Sequence, residues 1–323
     1  MANTKFAIGC LVQWYEIDII YEYVNSLRNA IKPYDGDILV DCMIVMNQQL
    51  EKTSLTEEEF NSIETKIISL FNELQREFNN VLVNINSTES LYTIADYRRE
   101  FNEKYCEEVD VLVWGESDML APGQIFIVLD SLHQSQSINT PKYLATFGIC
   151  KMWDDSWKVL EHSEFTIMSH SDSKNDWWGV NYDMTIDEMN TFNNKVSELD
   201  VRIIESHKFN GCGLVISAEV IKSGVNIPKS AFFVHEDTAF MLMTQKVLGH
   251  IPQYHFKNIL LVHNRKHKNK RSYIIGEIGE TVGQKRNSNK WYAIANQMCE
   301  QNVYNLFNPK YKSFKWKDVW NSI

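Results

Sequence analysis

Four short apolar runs in the first 114 residues, separated by helix-patterned segments, constrain this chain more than any other feature. Residues 6–13, 38–46, 81–85 and 109–114 are rich in Val, Ile and Leu and too short for buried helices, so they read as strands. Between the first two, Ile17, Ile20, Tyr21, Val24, Leu27 and Ile31 recur at helical spacing, and residues 33–36 (Pro-Tyr-Asp-Gly) form a turn. Thr56 with Glu59 makes a capping box ahead of Ile63, Ile67, Leu70, Phe71, Leu74 and Phe78, an amphipathic helix. A further helix over 94–105 carries Arg98 and Arg99. Strands that alternate with helices predict an α/β fold with a mostly parallel twisted sheet flanked by helices.

The alternation loosens after Met119. Strands are expected over 143–149 and 165–168, a polar loop over 170–182 and a helix over 186–199. A Gly-flanked strand follows over 211–217 with a short helix after it. Next come a helix over 235–248 that opens in acid and a strand over 259–263. A helix over 291–307 belongs to a basic C-terminal extension. Gly 13 and Pro 6 in 323 residues argue against long disordered tracts. Six scattered cysteines without a C-x-x-C pair argue against a disulfide framework or a cysteine zinc site. Neither a secretory leader nor an apolar stretch of membrane-spanning length is present, so a cytoplasmic protein is expected.

Charge is divided unevenly. The net charge is −10, yet residues 257–323 hold 13 Lys and Arg against 4 Asp and Glu. A basic tail on an acidic body points the tail toward an anionic partner, with solvated surface charge as the plainer reading.

Three constellations carry candidate chemistry. Glu116-Ser117-Asp118, with Pro122 beyond it, directly follows a buried strand. Ligands of open α/β sheets bind at such strand ends, and two carboxylates in one turn suit a hard cation and the phosphates it bridges. Gly211-Cys212-Gly213 allows backbone to come close to a ligand. Glu236-Asp237 opens a helix, whose N-terminus favours an ionised carboxylate able to take a proton from a hydroxyl. His263 ends an apolar strand, either as a structural hydrogen-bonder or as the completion of a cation site.

In order and spacing, over residues 5–265, these features resemble glycosyltransferase family 2 and related GT-A enzymes. The likeness rests on the opening strand and helix, Arg98-Arg99 on a helix, Glu116-Ser-Asp118 before a Pro, Gly211-Cys-Gly213, Glu236-Asp237 and His263. The resemblance implies an inverting, nucleotide-sugar-dependent transferase using Mn²⁺ or Mg²⁺ and a UDP-type donor. It implies metal binding by Asp118, Glu116 and His263, and a catalytic base in Asp237 beside Glu236. Donor contacts are implied for Gln13, Glu16, Arg98, Arg99, Glu116, Gly211 and Gly213. Where the family has Asp first in its D-x-D, this chain has Glu116, so Asp118 is the firmer metal ligand. Residues 1–264 would form the catalytic domain, with a nucleotide-sugar half to about 122 and an acceptor half from about 123. Residues 265–323 would form the basic, partly helical extension.

For the acceptor, Trp177 and Trp178 could stack on sugar faces or bases, or be buried. Arg265, Lys266 and Lys268 head a basic run with interleaved aromatics. That run suits a nucleic-acid backbone, donor phosphates, an anionic glycan or lipid headgroups. A glycan or small-molecule hydroxyl ranks first. Hydroxylated DNA bases, as modified in tailed phages, rank second. A nucleotidyltransferase is disfavoured because no Gly-rich Arg/Lys loop follows the first strand, and a non-catalytic nucleotide-sugar-binding module is the remaining rival.

Overall fold

Strand β1 (Phe6–Gln13) shows why both faces of the sheet are covered. Phe6, Ile8, Cys10 and Val12 enter one hydrophobic core, while Ala7 and Leu11 enter the other. This is the period-2 alternation of a strand buried on both sides. The computed structural model describes residues 3–48, 55–87, 91–136, 139–149, 151–153, 159–161, 185–203, 211–231 and 235–263.

The chain runs from β1 through helix α1 (Ile20–Ile31) to β2 (Ile38–Asn47), then through α2 (Glu57–Leu74) to β3 (Asn80–Asn86). Helix α3 (Ile94–Tyr105) then carries it back across β1 to β4 (Val111–Trp114). The pairs β1–β2, β2–β3 and β1–β4 are all parallel. Helices α1 and α2 contribute to the first core, and α3 to the second. The capping boxes at Thr56 and Thr185 are both formed, each hydroxyl accepting from the N–H three residues on, from Glu59 and Glu188 respectively.

Beyond β4 the short strand β5 (Met119–Leu120) precedes helix α4 (Ile125–Gln136), then β6 (Leu144–Ile149). With β9 (Val201–Ile203), β10 (Val215–Ser217) and β11 (Gln253–His263), the main sheet among the described residues has the order β3-β2-β1-β4-β10-β6-β11-β5, and β9 pairs β11. Strand β10 is antiparallel to both its neighbours, whereas β11 runs parallel to β6. A separate hairpin pairs β7 (Lys151–Trp153) with β8 (Val159–Glu161). Helices α5 (Ile186–Asn193), α6 (Ala218–Lys222) and α7 (Glu236–Leu248) complete the set.

Several expectations are revised. Helix α4 was not anticipated: its opening Ile-Phe-Ile-Val-Leu carries the β-branched composition of a strand, and packing of Ile125, Phe126, Val128, Leu129 and Leu132 on the first core sets it as helix. The last described strand is β11 in full, eleven residues rather than five. Its register against β6 shifts between Phe256 and Leu260. The irregularity is held by Asp200 and Asn258: Lys257 N–H donates to the Asp200 carbonyl at 2.9 Å, and Asp200 N–H to Asn258 Oδ1 at 2.9 Å. The helix expected over 186–199 stops at Asn193, whose side chain instead brackets Leu260, donating to its carbonyl and accepting from its N–H, both at 2.8 Å. Residues 211–214 form a turn, and only 215–217 are strand. The segments 165–168, 170–182 and 291–307 lie outside the described residues.

Candidate active site

The connection sequence places a crevice. From β1 the chain moves outward to β2 and β3, then returns to β4 on the other side of β1. The connections beyond the carboxyl ends of β1 and β4 therefore diverge, which makes a topological switch point there. At that point the chain after β1 turns through a short 3-10 segment (Trp14–Glu16), with Glu16 Oε2 accepting from Gln13 N–H at 2.8 Å. The chain after β4 turns at Gly115, whose N–H donates to the Gly9 carbonyl at 2.7 Å, and delivers Glu116, Ser117 and Asp118.

Strand β11 supplies the opposite wall. Its last two residues pair antiparallel with β5, Val262 with Leu120 and His263 with Met119. This pairing sets the His263 imidazole against the acidic turn. Nε2 of His263 lies 3.1 Å from Glu116 Oε2 and 3.1 Å from Asp118 Oδ1. Asp118 is 4% exposed by side chain, Glu116 24% and His263 15%. Two carboxylate oxygens, one from each acid of the turn, thus flank a single imidazole nitrogen at hydrogen-bond distance.

Arg98 anchors the other side of Glu116. On α3, Arg98 and Asn102 stand one turn apart over Trp114. The guanidinium carbon is 4.7 Å from the indole ring, and Asn102 Oδ1 accepts from the indole N–H at 2.9 Å. Arg98 donates through Nη2 to Glu116 Oε1 at 2.9 Å and to the Gly211 carbonyl at 3.3 Å, and through Nη1 to Glu236 Oε1 at 2.5 Å. Its side chain is 2% exposed. Burying a guanidinium costs several kcal/mol unless it is paired, and here two carboxylates, a carbonyl and an aromatic face offset that cost.

One cation cannot fully neutralise both acids, and the carboxylates divide accordingly. Burial by itself would raise the Glu116 carboxyl, but His263 and Arg98 pull it down to about 2. Burial raises Glu236 to about 7, with Asp237 adding to the rise and Arg98 opposing it. This differs from the expectation that a helix N-terminus keeps Glu236 ionised, because desolvation outweighs the dipole.

Asp237 faces the same centre through the Gly211 turn. Its Oδ2 accepts from Gly211 N–H at 3.0 Å, and its Oδ1 from Thr238 N–H at 2.6 Å. Helix α7 starts from His235 in the left-handed region, φ 63°, the one non-glycine residue with positive φ among the described residues. Such backbone strain is common at functional sites.

No family model matches the chain, and no curated protein matches it. Solved structures do. Residues 1–349 of TarS from S. aureus share 11% identity over 95% of this chain and 75% of that one, with a TM-score of 0.47. Glucosyl-3-phosphoglycerate synthase from Mycobacterium tuberculosis, in complex with Mn²⁺, uridine diphosphate and phosphoglyceric acid, shares 10% identity over 92% of this chain and 78% of that one, with a TM-score of 0.43.

Of the residues the GT-A resemblance nominates, Glu116 and Asp118 each meet His263 directly, and Arg98, Gly211, Glu236 and Asp237 form a connected network beside them. Gln13 and Glu16 sit at the neighbouring strand end. Arg99 turns elsewhere, donating to the carbonyls of Ile227 at 2.9 Å and Pro228 at 3.1 Å. Consecutive helical residues point about 100° apart, so Arg98 and Arg99 serve different neighbours. Trp177, Trp178, Arg265, Lys266 and Lys268 lie outside the described residues. A residue that the motif reading passed over also belongs to the site. Cys212, between the two glycines it did single out, is buried, and its Sγ lies within 4.8 Å of ligand atoms of Glu116 and His263. Among the described residues no helix is long and apolar enough to cross a membrane.

Proposed function

We propose that this chain is an inverting glycosyltransferase of the GT-A type, moving a sugar from a nucleotide donor, UDP-type first, to a hydroxyl acceptor. The observation that supports this most is the meeting of Glu116 and Asp118 on His263 Nε2 at the switch point, with the Asp237 carboxylate bound to the N–H of Gly211, whose carbonyl shares Arg98 with Glu116. Asp118, Glu116 and His263 would hold the divalent cation, which when bound offsets charge on a leaving diphosphate. Asp237 is fixed by two backbone N–H groups and would accept the acceptor's hydroxyl proton. Glu236 and Arg98 orient the ligands, because Arg98 fixes Glu116 from the side away from His263. Gln13 and Glu16 would lie toward the donor base. A glycan or small-molecule hydroxyl is the first acceptor class. DNA with hydroxylated bases is the second, supported by the basic composition of residues 257–323.

A thermal-shift screen of nucleoside diphosphates and nucleotide sugars, each with Mn²⁺ or EDTA, tests this. One nucleotide class should raise the unfolding temperature only with metal, at saturating ligand by the equivalent of about 2–3 kcal/mol. Asp118→Ala should lose that shift while keeping its circular dichroism. Asp237→Asn should keep the shift and lose transfer by at least about 100-fold. A wild-type chain that responds to no nucleotide with either additive would overturn the reading.

A further inference from the structure

The thiol of Cys212 stands where a ligand would, and its backbone is fixed from both sides. Gly211 N–H donates to Asp237 Oδ2 at 3.0 Å, and the Gly211 carbonyl accepts from Arg98. Gly213 N–H donates to the Trp114 carbonyl at 2.9 Å. Neither flanking position has room for a side chain: a Cβ at Gly211 would strike Arg98 Nη1, and one at Gly213, where φ is +69°, would strike Leu261. The turn is thus tied to the end of β4, to helix α7 and to β11, the elements that carry Glu116, Asp237 and His263. Within this frame the ligand atoms of Glu116, Cys212 and His263 all lie within 4.8 Å of one another. Around a tetrahedral ion with sulfur, nitrogen and oxygen ligands, donor atoms stand roughly 3.3–3.8 Å apart, so small side-chain adjustments bring the three onto one ion.

We propose that Cys212 is a thiolate ligand of the cation site, and that the site therefore prefers Zn²⁺ or Co²⁺ to Mg²⁺. The proposal rests on reading the Glu116–Asp118–His263 corner as a cation site. The chemistry follows from the donor set. Carboxylate oxygens alone suit Mg²⁺, which holds its water tightly and has little affinity for sulfur. A sulfur beside an imidazole moves the preference toward thiophilic and borderline ions. Binding exchanges the S–H proton for the metal and releases that proton to solvent. The buried position of Cys212, 1% exposed, keeps competing solvent away from the sulfur.

Cobalt absorption on the full-length reduced protein tests this with a readout independent of catalysis. Co²⁺ should give visible ligand-field bands together with a near-ultraviolet thiolate-to-cobalt charge-transfer band. In Cys212→Ser the charge-transfer band should vanish while ligand-field bands remain. Zn²⁺ affinity should fall at least about 10-fold there, with Mg²⁺ affinity changed much less. Circular dichroism checks that the variant is folded, and Cys212→Ala serves if the serine variant is not. Ligand-field bands without charge transfer in the wild type would overturn the thiolate ligand and leave the cation site standing. A charge-transfer band that survives in Cys212→Ser would place the sulfur on another cysteine and overturn it too. No cobalt spectrum at all would overturn both the ligand and the cation site beneath it.

Discussion

Glu236 shows how much a single buried proton can shift a site of this kind. Its carboxyl shares Arg98 with Glu116, and Glu116 has the second partner, His263, which Glu236 lacks. The proton therefore settles on Glu236, whose folded value of about 7 stands above the ordinary 4.5. A group raised in the folded state adds stability in full below its unfolded value, and that stability is lost as pH rises through the folded one. Between about pH 5 and pH 8 the parent chain should thus lose stability relative to Glu236→Gln, by up to about 3 kcal/mol. Urea unfolding of both proteins in EDTA at the two pH values measures this directly, and parallel pH profiles would count against the assignment. None of this was legible from residue order. The sequence marks Glu236-Asp237 as an acidic helix start, but the buried guanidinium shared by Glu116 and Glu236 comes from a helix 138 residues earlier.

At the scale of elements, two glycines that share a left-handed backbone have separable roles. Gly213 and Gly224 both hold positive φ, +69° and +85°, but only Gly213 is crowded, by Leu261, while Gly224 has open space. Gly224→Ala should therefore cost about 1 kcal/mol from backbone strain alone. Gly213→Ala adds overpacking of about 1–3 kcal/mol and should also weaken metal binding, since the turn positions Cys212. Denaturant midpoints and a metal titration of the two variants distinguish the cases; equal effects would remove the special role of Gly213. Elements with purely local signals were read correctly from sequence. The Thr56 box starts its helix where Glu59 required, and the helix over 94–105 matches its limits. Elements that depend on their surroundings were not. Helix α4 has strand-like composition, and the extra length of β11 is set by Asp200, Asn258 and Asn193 holding its irregular middle.

For the whole molecule, the sheet order decides which sequence motifs become neighbours. Strands β4 and β11 are separated by β10 and β6, yet the far end of β11 reaches β5 and returns to the acidic turn. A cation held by Glu116, Asp118 and His263 would tie the two ends of that span. Adding Mn²⁺ or Zn²⁺ should accordingly slow amide hydrogen exchange over residues 115–120 and 260–263 together, measured by mass spectrometry against an EDTA control. Protection at one segment alone would mean that the ion is not shared between them. Both segments read as strand ends in the sequence, and Asp118 and His263 are nominated from those positions. Their meeting depends on a reversed strand, β10, whose pairing partners no local pattern specifies.

The pairing of β11 with β5 also has a consequence for the life of the polypeptide before it is complete. Asp118 and His263 are 145 positions apart in the chain, and synthesis proceeds at about 5–20 residues per second. A nascent chain thus displays its acidic turn for several seconds with no imidazole to meet it. The first strands can pair on the ribosome, but the centre described here closes only after the last described strand has emerged, so competence should arrive late and all at once rather than growing with length.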